Sequence, residues 1–132
     1  MHRSFAARIR PLLAALWATA WIGVAALLLL PMPVAAPDRS DLLAHFLLFA
    51  GMAFGAIGFS RRARQLAGLA LLTIVGGAAL ELAQQLVAYR SFDPVDAAAN
   101  VLGAMSGYAL AVIVLVLWLR PAEPELAAND LR

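Results

Sequence analysis

The chain has 132 residues, enough for one ordinary domain at most. Apolar residues make up 64% of it and charged residues 14%, against roughly 45–50% and about 25% in soluble domains, so neither a soluble globule nor a disordered chain fits. There is no cysteine, which removes disulfides, thiolate zinc sites and cysteine nucleophiles. The net charge of +2 is too small and too scattered to imply a nucleic-acid partner.

A transmembrane helix needs about 20 mostly apolar residues, and four segments meet that requirement. Residues 11–30 carry no charge. Residues 42–59 are interrupted only by His45. Residues 66–88 carry Glu81, Gln84 and Gln85. Residues 95–119 hold Asp96 and Asn100 near their start. The connections are short, which makes sequential helices antiparallel neighbours. The expected fold is therefore an all-α membrane protein, with four transmembrane helices in an antiparallel bundle over 11–119. A basic N-terminus (1–10) precedes it, and a flexible tail (120–132) with two prolines and alternating acids follows.

Every basic residue is an arginine. In a four-span chain Arg3, Arg8, Arg10, Arg61, Arg62, Arg64, Arg120 and Arg132 share one side, leaving Arg39 and Arg90 on the other. The positive-inside rule then predicts that both termini are cytoplasmic. Trp118 and Tyr89 fall at opposite interfaces, as amphipathic rings do. A secretory signal is the rival reading of the first span, with Val34-Ala35-Ala36 as a cleavage site. The apolar run is too long for it, and Pro37 would obstruct the cut.

Polar groups inside a bilayer are costly, about 2.5–3.5 kcal/mol for a charge at a helix centre, so their placement is informative. Asp41 and His45 are four residues apart, as are Glu81 and Gln85, and Asp96 and Asn100. Residues at that spacing share a helix face. Three helices thus each carry a polar stripe in the outer third of the membrane, with Gln84 beside the second. Turning the stripes inward lets them satisfy one another, with Arg90 in the connection above as counter-ion. Glu81, 15 residues past Leu66, is expected about 22 Å along its helix and roughly 10 Å short of the outer end.

Simpler structural roles exist for some of these groups. Asp93-Pro94 is a helix start, with Asp96 in capping-box position, and Asp38 and Asp41 repeat the spacing. His45 can serve as a hydrogen-bonding partner of a neighbouring helix. Capping does not account for Glu81 at the depth expected for it. Gly51 with Gly55, and Gly103 with Gly107, are small-xxx-small pairs, expected to let helix backbones pack closely. Gly76 and Gly77 offer the same, or a looser helix just before Glu81.

Taken together these motifs resemble the VanZ-like family of small bacterial membrane proteins. The match rests on Asp41 and His45, then Glu81-x-x-Gln84, then Arg90, Asp96, Asn100, Gly103 and Gly107, with the stretch 90–103 the most telling. It covers residues 38–119. The family often has a lysine after the first aspartate, where this chain has Leu42. The resemblance implies a multi-pass protein of the bacterial inner (cytoplasmic) membrane, active in the cell envelope. The family takes its name from a member linked to glycopeptide (teicoplanin) resistance, and most members have no assigned activity.

The leading functional expectation is an outward-facing polar site that binds an anionic envelope lipid or cell-wall precursor. It is formed by Asp41, His45, Glu81, Gln84, Gln85, Arg90, Asp96 and Asn100, with the Arg90 guanidinium on a phosphate or carboxylate. That reading includes no cofactor and no metal. It takes membrane lipids as partners, excludes nucleic acid and leaves a homodimer open. An intramembrane enzyme is the alternative, with His45 or Glu81 as base and the remaining acids on a divalent cation. No nucleophile motif supports it, so catalytic residues stay unknown. A purely structural or assembly role is the third reading.

Overall fold

A computed structural model describes residues 2–30, 40–87 and 92–119, with side chains described between residues 8 and 118 of those stretches. Four helices follow in chain order: α1 (His2–Leu29), α2 (Ser40–Gly55), α3 (Ala63–Gln84) and α4 (Pro94–Leu119). A single 3₁₀ turn, Ala56–Gly58, extends α2. Each helix contains a stretch long and apolar enough to cross a bilayer: Arg8–Leu29, Ser40–Gly58, Ala63–Gln84 and Pro94–Trp118, with hydropathies of 1.6 to 2.2. By length and composition this is a multi-pass membrane protein.

The interior holds His45, Thr73, Glu81, Gln84 and Asn100 beside small residues such as Ala53, Ala56, Ala104 and Ala111 and a few large apolar ones, Val24, Phe49, Met52 and Leu66. The exterior is covered by Leu12, Ile22, Leu71, Leu102, Ile113 and many similar side chains. Water would penalise such a surface, whereas lipid tails solvate it.

Two helix ends differ from expectation. α1 begins at His2 and passes through Pro11, so the basic segment before Pro11 is helical. Pro11 sits inside the helix, where proline removes one backbone hydrogen bond and crowds the carbonyl four residues earlier. α3 stops at Gln84 instead of reaching residue 88. Beyond it the N–H groups of Gln85, Leu86 and Val87 bond to the carbonyls of Leu82, Ala83 and Gln84, a tightening to i→i+3 geometry. The apolar run Leu86-Val87-Ala88 had suggested continuation.

The most extensive helix contact joins α2 to α4, two helices that are not sequential. Its cause is the Gly103–Gly107 pair. Gly103 lies against the Phe46 carbonyl and Gly107 against the Ala50 carbonyl, and a Cβ at either position would collide with backbone. Both contacts advance by four residues, so α2 and α4 run side by side in the same direction. Gly51 and Gly55 do not act in this way. Gly51 faces open space, and Gly55 has only an ordinary van der Waals contact with Trp17. Their shared motif lies on the side of α2 turned from α4. Gly76 and Gly77 instead make room for the rings of Trp21 and Phe49.

Aromatic side chains fix α1. The Trp17 indole N–H donates to the Met52 carbonyl over 2.7 Å, and Trp17 meets Trp21 and Phe59 edge-on. Trp21 in turn meets Phe49 edge-on. These contacts satisfy the one polar atom of Trp17 while burying its apolar body.

Gly103→Ala and Gly107→Ala are each expected to destabilise the purified protein by about 1–3 kcal/mol through overpacking. Thermal unfolding in detergent should show a lowered midpoint for both. Gly51→Ala, which meets nothing, should unfold like the parent.

Candidate functional site

The register of α2 against α4 places their first turns together. His45 is 1% exposed, Asn100 2%, and His45 Nδ1 lies 2.9 Å from Asn100 Oδ1. Since an amide oxygen only accepts, Nδ1–H is the donor in this arrangement. The other ring nitrogen faces two carboxylates. His45 Nε2 is 3.9 Å from Asp41 Oδ1 and 3.9 Å from Asp96 Oδ2. Asp41 is half exposed and Asp96 is mostly covered, at 51% and 18%. The i, i+4 spacing within each helix and the pairing across them thus bring four side chains to one point.

Glu81 is fully buried and sits beside this group through α4's start. Its Oε1 accepts the Asp93 backbone N–H at 3.1 Å. Asp93 is the N-cap of α4, with Oδ1 accepting the Val95 N–H at 2.8 Å. The Asp93 N–H is the donor that a capping box would satisfy from within its own helix. Here Glu81 satisfies it from α3. This corrects the expected depth of Glu81: α3 ends three residues later, roughly 4.5 Å on, and capping does account for one of its oxygens. The sequence gives no signal for a backbone partner of this kind.

Gln84 is buried but serves a different contact. Its Nε2 donates to the Leu28 carbonyl at 3.0 Å, one of the carbonyls left without an intrahelical partner in the last turn of α1. It ties the ends of α1 and α3 together at the level of the site. Gln85 is exposed. The α-helix has given way by that residue, so the i, i+4 relation to Glu81 does not carry it inward. Arg90, with Asp38, Arg39 and Tyr89, lies outside the described residues.

Among the described residues, three buried polar atoms of this region have no hydrogen-bond partner: His45 Nε2, Glu81 Oε2 and Asn100 Nδ2. A groove of about 350 Å³ lies between the first halves of α2 and α4, lined by Leu42, Leu43, Phe46, Val95, Ala98, Ala99 and Leu102. Four of these directly follow or precede Asp41, His45, Asp96 and Asn100 in the chain. The polar residues and the apolar groove thus lie at the same level of the same two helices. The arginines Arg61, Arg62 and Arg64 lie at the opposite end of α2 and the start of α3, exposed.

No protein-family model, curated protein or solved structure matches the chain.

Glu81→Gln keeps an acceptor for the Asp93 N–H, whereas Glu81→Ala leaves that donor without its partner. Denaturant unfolding should therefore show the alanine variant as the less stable of the two, by on the order of 1–3 kcal/mol. Asp93→Ala removes the α4 cap and should cost about 1 kcal/mol in the same measurement.

Proposed function

We propose that this is a VanZ-like protein of the bacterial cytoplasmic membrane whose polar end binds the headgroup of an envelope lipid or cell-wall precursor. In this reading the helices form an antiparallel bundle with both termini in the cytoplasm. The polar end then opens away from the cytosol, and Arg90 contacts a phosphate or carboxylate of the ligand. Any influence on glycopeptide (teicoplanin) susceptibility would follow from that binding.

One observation carries the reading: His45, Glu81 and Asn100, at the adjoining ends of α2, α3 and α4, each keep a buried polar atom that has no hydrogen-bond partner among the described residues. Each unmet group costs about 1–3 kcal/mol. A polar ligand would meet them. The adjoining groove of Leu42, Phe46, Val95 and Leu102 suits an acyl chain, so headgroup and tail would both find complementary surfaces. The arginine-rich opposite end agrees with the orientation.

Lipids extracted from the purified protein test the proposal. The parent should retain one headgroup class in excess over bulk membrane, and His45→Gln and Arg90→Ala should each reduce it several-fold. Gln85→Ala, on the exposed surface, should not. Equal recovery from the parent and Arg90→Ala would refute the assigned headgroup contact.

Orientation is open to a separate measurement, because the chain has no cysteine of its own. A Ser91→Cys variant in intact spheroplasts should react with a membrane-impermeant maleimide. An Arg62→Cys variant should react only after permeabilisation. The reverse pattern would place the polar end in the cytosol.

A further inference from the structure

We propose that Asp41, His45 and Asp96 form a divalent-cation site at the first turns of α2 and α4. The assignment goes beyond headgroup binding and does not depend on it. Each of the three residues offers one ligand atom, and these atoms lie within 4.8 Å of one another. An ion centred between atoms 3.9 to 4.8 Å apart lies roughly 2.2–2.5 Å from each, close to the lengths of metal–oxygen and metal–imidazole bonds.

The acidic pair alone would be a solvated surface feature. His45 makes it a site. Its Nδ1 faces Asn100 Oδ1, which leaves Nε2 as the ring atom whose lone pair a metal would take. That atom is buried, has no hydrogen-bond partner among the described residues, and lies 3.9 Å from each of two carboxylates. A cation centred among these three atoms attracts the imidazole lone pair and both carboxylates at once. The Asn100 contact is the outer-sphere hydrogen bond that metal-bound imidazoles characteristically make, fixing tautomer and ring plane.

The donor set narrows the ion. One imidazole and two carboxylates suit Mn²⁺ or Zn²⁺, and the absence of thiolate disfavours soft ions. Asp41 is half exposed, so coordination positions on its side face out of the protein. Water or an anionic oxygen of a ligand would complete the shell there, as in open metal sites.

Mn²⁺ is the probe. The full-length protein in detergent, stripped with chelator, is titrated with Mn²⁺ while the free ion is read by EPR, and the bound ion is examined for ¹⁴N coupling. The expected result is one Mn²⁺ per chain with a ¹⁴N coupling from His45. Asp96→Asn should weaken binding at least tenfold, His45→Gln should remove the coupling, and Gln85→Ala should change neither. Wild-type protein without stoichiometric Mn²⁺, or with bound Mn²⁺ that shows no ¹⁴N coupling, overturns the proposal. So does unchanged affinity in Asp96→Asn. Because the wild-type measurement decides on its own, a variant that fails to fold does not rescue the idea. Lipid recovery is read separately, so loss of headgroup binding and loss of the cation site give different patterns.

Discussion

The 2.9 Å contact between His45 and Asn100 joins the two helices that form the centre of the molecule. Both side chains are buried in the protein, so an unmatched imidazole or amide there is costly. The contact fixes the rotation of α2 against α4 and with it the direction of every side chain in their first turns. Asp41 and Asp96 converge on the free ring nitrogen for this reason, and Glu81 reaches α4's first backbone donor within the same frame.

Small residues make that contact reachable. Gly103 and Gly107 let α4 lie against the carbonyls of Phe46 and Ala50. Without them the helix axes would separate and the histidine would fall short of the asparagine. In a membrane the driving force for such packing is dispersion and polar satisfaction, because lipid tails are as apolar as leucine. The interior accordingly sets alanine, glycine and buried polar groups beside a few large apolar side chains such as Phe49 and Leu66, while many leucines face outward.

Much of this was legible in the chain. Four apolar runs predicted four helices, and the i, i+4 pairs Asp41/His45 and Asp96/Asn100 predicted faces that do meet. The Asp93-Pro94 start of α4 was also readable. Other features were not. Leu86-Val87-Ala88 is as apolar as the helix before it, so composition did not mark the end of α3 at Gln84, and Gln85 was wrongly aligned with Glu81. Gly51–Gly55 and Gly103–Gly107 are identical motifs, and only packing shows that one meets backbone while the other meets none. Partners that are backbone atoms, such as the Asp93 N–H for Glu81 and the Leu28 carbonyl for Gln84, leave no trace in residue identities.

The parallel course of α2 and α4 has an electrostatic consequence. Peptide dipoles in a helix sum to about half a positive charge at its N-terminus, and two parallel neighbours place those charges together instead of cancelling them. Hydrocarbon screens such a repulsion poorly. Asp41 and Asp96, in the first turns of the two helices, and Asp93 at the cap of α4 supply the compensating negative charge. The aspartates are thus counter-charges for the pair of helix starts as well as potential ligands, and any ion or headgroup entering among them changes the force that holds the two helices side by side.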